Sequence, residues 1–356
     1  MKSTSGQYFI GLDHLRAFAA FMVFVWHFSW ASGSLYAEPP IPPFSLLTEG
    51  HTGVALFMAL SGYLFAKLLA DKKINFRAFI WNRFLRLAPL LILTMVLYAM
   101  YKGYRGQALD DYIKLVASGW LYPNLPNGGW SITVEFHFYL ILPLLLLLVR
   151  KWQYSLFFVL VLALVIRTYL YYKYGEVQVL SYWTLVGRID QFLLGIMAYQ
   201  FRNKIAHKHV LMVISTVAFV WFYSWFDNLG GYYQSPSYPS PSAIWIYLPT
   251  FEGLFYALLI AWYDNSINHS TGRISRFIAL IGNYSYSIYL FHLFFVFEFA
   301  AIVDKYIVQS SSIYSTLLLA PVFYLALVPI GYLSFRFIEA PFLKFRTNYI
   351  ITKVSA

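Results

Sequence analysis

The stretch GLDHLRAFAAFMVFVWHFSW, residues 11–30, decides the fold because it is long and apolar enough to cross a bilayer as one helix. Arg16 and His27 nevertheless lie inside it. Eleven helical steps separate them, about 1100° of rotation and about 16 Å of rise, so both side chains lie on one helical face. A charged side chain is costly inside a bilayer and usually faces the protein interior or a water-filled cavity. The stretch therefore predicts a membrane helix whose polar face is turned toward other helices.

The composition places the rest of the chain in a membrane as well. Of its 356 residues, 60% are hydrophobic and only 12% are charged, whereas soluble domains carry about 25% charged residues. The predicted spans cover roughly residues 11–31, 51–70, 84–101, 130–149, 154–172, 181–201, 210–226, 244–263, 277–302 and 314–338. We therefore predict an all-α polytopic membrane protein with about ten transmembrane helices.

The distribution of basic residues predicts the orientation of these spans. With the N-terminus in the cytoplasm, 18 lysine and arginine residues fall in cytoplasmic segments and 5 fall in outer loops. Short cytoplasmic loops of membrane proteins carry such an excess of positive charge. We therefore predict that both termini are cytoplasmic. The same asymmetry accounts for most of the formal charge of +11, so no nucleic acid is predicted as a partner.

Several chemistries find no support in the sequence. Cysteine is absent, which excludes disulfides, cysteine-based metal sites and a cysteine nucleophile. The eight histidines are scattered and form no H-E-x-x-H motif, so we predict no metal cofactor. The first apolar run has no small-residue cleavage site, so we interpret it as a retained helix. Residues 1–356 are predicted to form a single transmembrane domain without a fused soluble domain.

Further polar residues lie within the other predicted spans. Glu135 lies near the outer end of the fourth span, at about the depth of His27, and His292 lies well inside the ninth. Arg188 and Asp190 lie in the outer half of the sixth. Each of these groups could be a structural residue with a partner on a neighbouring helix. One shared polar cavity, reaching outward from the middle of the bilayer, explains all of them more economically.

The segment FRAFIWNRFLRLAP, residues 76–89, carries arginines on the predicted inner side. Arg83 and Arg86 are three residues apart and are therefore neighbours on a helix surface. Two guanidinium groups in that arrangement suit a phosphate-rich ligand. The alternative is ordinary anchoring at the cytoplasmic interface. In both cases we expect the two arginines to lie at that interface, so that their replacement leaves no buried charge without a partner.

Six short stretches of the chain carry a family resemblance. Arg16 and His27 match an arginine–ten residues–histidine signature, and Arg83 and Arg86 match an R-x-x-R motif. The other stretches are FMALSGYLF (57–65), WSITVEFHFYLILP (130–143), YSYSIYLFH (284–292) and FRFIEAPF (335–342). In this order, and over nearly the whole chain, they resemble the acyltransferase-3 family of integral-membrane enzymes, which acylate carbohydrates and other acceptors.

The chain departs from that family at several points. Glu135 matches the first glutamate of the family's EEQ triplet, but Phe136 and His137 replace the next two residues. No role of the second glutamate can therefore be carried over. Ala55 stands where many relatives have aspartate. Many relatives also have a fused extracytoplasmic esterase-like domain, which we do not expect here.

The resemblance implies acyl-CoA, usually acetyl-CoA, as a cytoplasmic donor and a hydroxyl group as the acceptor. His27 is the predicted general base, because an imidazole suits proton transfer near neutral pH, and Glu135 or His292 would assist it. Direct transfer and an acyl-histidine intermediate both remain open. The predicted donor-binding residues are Arg16, Arg83 and Arg86.

The predicted acceptor is an extracytoplasmic carbohydrate, such as a surface polysaccharide or a lipopolysaccharide O-antigen. A small secondary metabolite is the alternative acceptor, and the predicted location is a bacterial inner membrane. A secondary transporter would also carry charged residues inside the membrane, but no repeated halves are visible in the sequence. A purely structural membrane protein is a further alternative. The predicted acceptor-binding residues are Trp130, Ser131, Arg188 and Asp190.

Overall fold

The computed structural model describes residues 9–34, 39–69, 72–307 and 312–351, which are almost entirely helical. In the first half of the chain the helices are α1 (Ile10–Ala31), α2 (Ser45–Thr48), α3 (Gly53–Leu69), α4 (Phe76–Tyr104), α5 (Asp110–Ser118), α6 (Trp130–Lys151), α7 (Ser155–Tyr174) and α8 (Gln178–Trp183). In the second half they are α9 (Leu185–Gln200), α10 (Arg202–Ile205), α11 (His209–Asn228), α12 (Gly231–Gln234), α13 (Ile244–Ser266), α14 (Arg273–Asn283), α15 (Ser285–Tyr306), α16 (Ile313–Ala326), α17 (Val328–Ser334) and α18 (Ala340–Leu343).

Three short elements complete this description. A 3₁₀ turn, Gly50–Thr52, leads into α3, and a π-helical turn, Phe335–Glu339, joins α17 to α18. Strand β1 (Lys73–Ile74) pairs antiparallel with β2 (Ile350–Ile351). This pairing ties the segment after α18 to the beginning of α4, so the end of the described chain lies beside the arginines of that helix.

The fold class predicted from the sequence is confirmed. Within the described residues, eight helical stretches are long and apolar enough to cross a bilayer. The two remaining predicted spans coincide with α1 and α9. Helix α1 has 22 residues, but Asp13, His14, Arg16 and His27 lower its hydropathy. Helix α9 has 16 residues and rises only about 24 Å, less than the roughly 30 Å of the hydrocarbon core.

Helices α1 and α9 are less apolar because they lie inside the bundle. Helix α3 packs along α9, α13 packs against both, and α1 contacts α3, α14 and α15. About 78% of the span that begins at Gly50 is buried within the protein, whereas only 22% of the α7 span is. Peripheral helices such as α7 therefore present leucine, valine and phenylalanine to lipid, and the inner helices carry the polar groups.

Small residues permit a close contact between α3 and α9 in this interior. A Cβ atom at Gly62 of α3 would lie 2.1 Å from the carbonyl oxygen of Phe192, and one at Gly195 of α9 would lie 2.2 Å from that of Ala59. Helices in membranes approach closely through such small residues, because lipid gives little hydrophobic drive for association. The two glycines therefore set the distance between α3 and α9.

The orientation of the bundle is tested by labelling single cysteines, since the chain has none of its own. Both termini lie outside the described residues, so their location stays a prediction. We expect Ser237→Cys, at an exposed position between α12 and α13, to react with an impermeant reagent in intact cells. Ser355→Cys should react only after the membrane is opened. Labelling of Ser355→Cys in intact cells would reverse the predicted orientation.

Candidate active site

A cavity of about 230 Å³ lies among α1, α3, α4, α6 and α15. Its walls combine apolar side chains with several polar and charged ones. The cationic residues among its lining are Arg16, Arg83, Arg86 and Arg346. The acidic and hydroxyl residues among its lining are Asp13, Ser61, Ser131, Glu135, Tyr139, Ser285, Tyr286, Tyr289 and Tyr349. The cavity therefore offers positive charge together with carboxylate and hydroxyl groups that can form hydrogen bonds.

Arg83 and Arg86 both reach this cavity from α4, but their environments differ. The Arg83 guanidinium lies 5.2 Å from the ring centre of Phe65, and its Nε has no hydrogen-bond partner among the described residues. The Nη1 atom of Arg86 lies 3.1 Å from the Oε2 of Glu339, which is only 1% exposed. The expectation that neither arginine has a buried partner is therefore wrong for Arg86.

Glu339 owes its position to the π-helical turn. That turn ends at Glu339 and directs its carboxylate toward Arg86 and the Ser287 hydroxyl, which donates a hydrogen bond to Oε1. Single π-helical turns are frequent at functional sites. The sequence contained a signal for this residue, since Glu339 lies in the FRFIEAPF stretch, but no partner could be assigned without the tertiary structure.

Arg346 joins the arginines of α4 although it lies far away in sequence. Burial, followed by the charges of Arg86 and Arg83, lowers the pKa of Arg346. Three guanidinium groups thus lie close enough to repel one another, which favours an anionic ligand between them. In the sequence, Arg346 was only one of many basic residues on the predicted cytoplasmic side.

Arg16 lies at the wall of the same cavity and forms an ion pair with Asp13, one helical turn earlier. The side chain of Arg16 is 27% exposed, whereas that of Asp13 is 4% exposed. The buried carboxylate holds the arginine on the face of α1 that points into the cavity. Arg16 and His27 are predicted to share one face of α1. Arg16 lies on this face at the cavity, and His27 lies farther along it in the bundle.

Glu135 lines the cavity but bonds neither of the two predicted catalytic histidines. Its Oε1 atom accepts hydrogen bonds from the Ser61 hydroxyl, at 2.8 Å, and from the Tyr139 hydroxyl. Ser131, Glu135 and Tyr139 share a helical face, as their spacing predicts. The arrangement makes Glu135 part of the cavity wall between the arginines and the histidines.

His27 and His292 lie side by side, with 3.1 Å between the Nδ1 of His27 and the Nε2 of His292. The His27 Nδ1 also lies 2.8 Å from the carbonyl oxygen of Val23, and the His292 Nδ1 lies 2.5 Å from that of Tyr289. A carbonyl oxygen can only accept a hydrogen bond, so both Nδ1 atoms carry protons in the neutral rings. The Nε2 of His27 therefore keeps its lone pair and is the basic nitrogen of the pair.

Tyr289 connects the cavity to this histidine pair. Its hydroxyl lies 2.8 Å from the Ser131 hydroxyl and 3.1 Å from the carbonyl oxygen of Gly128. Its own carbonyl oxygen accepts the hydrogen bond from His292. Tyr289 lines the cavity, whereas neither His27 nor His292 is among the lining residues. The histidines thus lie just behind the end of the cavity, separated from it by the layer that contains Ser131 and Tyr289.

Trp130 and Arg188 lie together beyond that layer. The Arg188 guanidinium lies 5.4 Å from the Trp130 ring centre and 4.2 Å from that of Tyr182. Arg188 is 1% exposed and donates to the carbonyl oxygen of Tyr182 and to Gln191. Aromatic rings and a guanidinium group suit contact with a sugar ring that carries hydroxyl groups, but all three side chains are buried in this structure.

Asp190 has a different environment from that expected of an acceptor ligand. Its two carboxylate oxygens lie 2.9 Å and 2.6 Å from the guanidinium nitrogens of Arg167, and Thr250 donates a further hydrogen bond. Asp190 and Arg167 are both fully buried. We therefore assign Asp190 to an ion pair that joins α9 to α7 and not to acceptor binding. Sequence spacing could not reveal this partner, because Arg167 lies in another span.

The part of the chain that the structure describes contains no group of three or more histidine, aspartate or glutamate side chains that could hold a metal ion. The prediction that no metal is used stays a prediction. The chemistry available at this site consists of guanidinium groups, hydroxyls, a carboxylate and a basic imidazole.

The fold and this site define a multi-pass membrane protein with a basic cavity that leads toward a pair of histidines, of which His292 is buried. Comparison with protein families matches residues 9–336 to the acyltransferase-3 family, described as an acyltransferase domain. The chain belongs to this family. Search of the solved structures gave no significant match.

Several curated proteins are similar to the chain. The peptidoglycan O-acetyltransferase OatA of Listeria monocytogenes is 26% identical over 96% of the chain and 56% of its own length. The O-acetyltransferase OatA of Staphylococcus aureus is 26% identical over 96% of the chain and 58% of its own length. The putative peptidoglycan O-acetyltransferase YrhL of Bacillus subtilis is 29% identical over 41% of the chain and 25% of its own length. The chain thus spans little more than half the length of the OatA relatives.

Proposed function

We propose that the protein is a membrane O-acetyltransferase that transfers an acetyl group from cytoplasmic acetyl-CoA to a hydroxyl group of an extracytoplasmic carbohydrate. The observation that carries this proposal is the basic cavity that ends at the layer of Ser131 and Tyr289, with the His27–His292 pair directly behind that layer. The membership of the chain in an acyltransferase family supports the reaction class. The same membership disfavours the secondary transporter that the sequence left open as an alternative.

In this proposal the donor occupies the cavity with its phosphates at the arginines. Arg83 and Arg346 would contact the anionic groups, and Arg86, held by Glu339, would add a fixed guanidinium. The thin pantetheine arm would extend between α3 and α6, past Ser61 and Glu135. The thioester would then lie near the layer that contains Tyr289, within reach of the histidine pair once that layer opens.

The acetyl transfer needs a base for the acceptor hydroxyl. The hydroxyl oxygen attacks the thioester carbonyl carbon while its proton passes to the Nε2 of His27. The resulting imidazolium is stabilised because its Nδ1 proton faces the Val23 carbonyl oxygen and the His292 Nε2. The tetrahedral intermediate then expels the CoA thiolate, which takes the proton back. The products are an acetyl ester and free CoA, so atoms and charges balance.

Glu135 takes a positioning role in this scheme. Its hydrogen bonds to Ser61 and Tyr139 fix two side chains of the cavity wall, and no bond joins it to His27 or His292 in the described structure. The assisting role falls instead to His292, which accepts the hydrogen bond from the Nδ1 of His27. Of the two assistants that the sequence left open, the geometry supports His292.

The acceptor would bind on the side of Trp130, Ser131 and Arg188. The relatives named as peptidoglycan O-acetyltransferases favour a cell-envelope glycan as the first acceptor to test. A surface polysaccharide or lipopolysaccharide O-antigen carries the same kind of hydroxyl group and is the next. Peptidoglycan precursors and these polymers become accessible outside the cytoplasmic membrane, so we propose a bacterial inner-membrane location with the acceptor site facing outward.

The test is acetyl transfer by the purified protein in proteoliposomes, with acetyl-CoA and a glycan acceptor, followed by mass spectrometry of the ester and assay of free CoA. We expect Arg83→Ala to weaken acetyl-CoA binding about tenfold, the value of one charge-assisted hydrogen bond. Arg86→Ala should be combined with Glu339→Gln, so that no buried carboxylate is left without a partner. The combined variant should weaken binding by a similar factor.

Arg77→Ala is the matched control, because Arg77 is an exposed arginine of the same helix and is not among the cavity residues. It should bind acetyl-CoA as the parent does. Acetyl-CoA binding that is equal in the parent and both cavity variants would reassign the arginines to membrane anchoring. Failure to release CoA with any hydroxyl acceptor, under conditions where acetyl-CoA binds, would contradict the proposed reaction.

A further inference from the structure

A second concave surface lies between α4 and α5, apart from the donor cavity. It has a volume of about 370 Å³ and an almost wholly apolar lining. Val96 and Ile113 in this lining are 48% and 59% exposed, so the surface opens outward from the bundle. We call it the α4–α5 groove. Its lining includes Met95, Val96, Ala99, Ile113, Val116 and Trp120.

The two walls of the groove are joined by a specific contact. The Tyr112 hydroxyl of α5 donates a hydrogen bond of 2.8 Å to the carbonyl oxygen of Met95 in α4. Tyr112 is 7% exposed, and its ring contacts that of Tyr98. Helix α5 is too short to span a bilayer and places apolar residues along this side. The groove is thus a fixed feature of the predicted outer side of the protein, and its apolar lining suits a hydrocarbon chain.

Cations lie at the end of the groove where α4 turns toward α5. Lys102 is in the last turn of α4, and Arg105 follows in the connection that returns to Leu109 of the groove lining. These are two of the 5 basic residues predicted on the outer side. Lys114, on α5, lies 3.3 Å from Asp111 in an exposed ion pair. Asp110, at the start of α5, adds one exposed carboxylate. Lys102 and Arg105 still leave this end with a net positive charge that a phosphate would meet.

The far wall of the groove continues into the candidate active site. The carbonyl oxygen of Trp120 lies 2.9 Å from the Nε2 of His137, and that of Gly119 accepts a hydrogen bond of 2.8 Å from Thr133. The same connection ends at Gly128, whose carbonyl oxygen contacts the Ser131 and Tyr289 hydroxyls at 3.1 Å each. One segment between α5 and α6 thus borders the groove at its start and the proposed acceptor side at its end.

We propose that the α4–α5 groove holds the hydrocarbon chain of a lipid-linked acceptor, a sugar carried on a polyprenyl phosphate. This inference rests on the proposed function and names the form in which the carbohydrate arrives. The chain lies along the apolar lining, the phosphate lies against Lys102 and Arg105, and the sugar extends along the segment 119–128 toward Ser131. An uncharged lipid would contact the apolar lining but would not pair with Lys102 and Arg105. A free polysaccharide has no hydrocarbon chain and no phosphate, so it would make neither contact.

Binding is tested with polyprenyl phosphate itself as the probe, without any need for turnover. The full-length protein is purified in detergent, and retained lipid is measured by native mass spectrometry. We expect Ala99→Trp and Ala117→Trp, which fill the groove from its two walls, to reduce retention about tenfold, in line with the cost of overpacking. Ile302→Trp is the matched control, because Ile302 is exposed near the C-terminal end of α15 and does not line the groove. The Ile302→Trp variant should retain the lipid as the parent does.

The role of the phosphate is tested with a polyprenyl alcohol of equal length. Lys102→Ala combined with Arg105→Ala should weaken retention of polyprenyl phosphate about tenfold or more, because charge-assisted contacts are lost. Retention of the alcohol should not change. Equal retention of the phosphate by the parent and both tryptophan variants would overturn the proposal, since the groove would then hold only bulk lipid. If the double alanine variant lost retention of polyprenyl alcohol as much as retention of polyprenyl phosphate, the assignment of the phosphate to Lys102 and Arg105 would be overturned.

Acetyl transfer then separates this inference from the proposed function. We expect the parent to acetylate a polyprenyl phosphate-linked sugar more efficiently than the same sugar in water, with a lower KM. The groove variants should lose that advantage and keep their activity on the soluble sugar. Equal efficiency on both acceptors in the parent would contradict the lipid-linked form while leaving acetyl transfer intact. Loss of transfer to every acceptor would count against the proposed function instead.

Discussion

Replacement of His27 by alanine is expected to reduce acetyl transfer by about a hundredfold or more, the usual contribution of a general base. The variant removes the only ring nitrogen of the histidine pair that keeps a free lone pair, the Nε2 of His27. Binding of acetyl-CoA should remain close to that of the parent, because the arginines that would hold its phosphates lie in the cavity and not beside His27. The measurement compares transfer rate and CoA affinity in detergent, with thermal unfolding to verify the fold.

His14→Ala is the matched control for this experiment. His14 lies on the same helix and hydrogen-bonds Tyr263 and the carbonyl oxygen of Ser275, away from the cavity and the histidine pair. It should transfer acetyl groups at nearly the parent rate. A folded His27→Ala protein with unchanged transfer would remove His27 from the mechanism and make His292 the next residue to examine. Acetylated His27 isolated from a quenched reaction would replace direct transfer by an acyl-histidine intermediate.

Replacement of Arg167 by leucine is expected to lower the free energy of unfolding by about 3–5 kcal/mol. The change leaves the Asp190 carboxylate fully buried between α7 and α9, without the guanidinium that now contacts both of its oxygens. Thr250 alone cannot compensate for that charge. Titration with a denaturing detergent, followed by circular dichroism, would measure the loss of stability.

The double variant Arg167→Leu with Asp190→Asn should recover most of this loss, because no buried charge then remains unpaired. Removal of the exposed Lys114–Asp111 pair is the control and should change stability little, since solvent and salt screen such contacts. Equal losses in the single and double variants would show that Arg167 acts through packing and not through its charge. If Asp190 bound the acceptor instead, Asp190→Asn alone would change the KM for the acceptor.

The residues that reach the candidate site were partly predictable because their spacing reports a helical face. Arg16 and His27 share a face of α1, and Ser131, Glu135 and Tyr139 share a face of α6, as periodicity alone requires. Arg83 and Arg86 likewise follow from a spacing of three. Such relations hold within one helix, where the geometry is fixed by the backbone hydrogen bonds.

Contacts between helices were beyond the reach of the sequence. His292 lies beside His27 although 265 residues separate them, and Arg346 joins Arg83 across a similar interval. Glu339 lies in a sequence motif that does not identify its partner Arg86, and Asp190 pairs with Arg167 where the sequence predicts contact with an acceptor. Each of these pairings depends on how two helices are rotated and displaced relative to each other. The periodicity of residues within one helix does not determine that relative placement.

The sequence by itself determined that this is an all-α membrane protein, because apolar length and charge asymmetry act through the bilayer and not through contacts within the protein. It also predicted several of the polar residues that lie inside the membrane. Only the tertiary structure decided which of them line the cavity, which form the histidine pair and which form a structural ion pair. A buried charge must find a partner, but any of several helices could supply it, and only packing selects one.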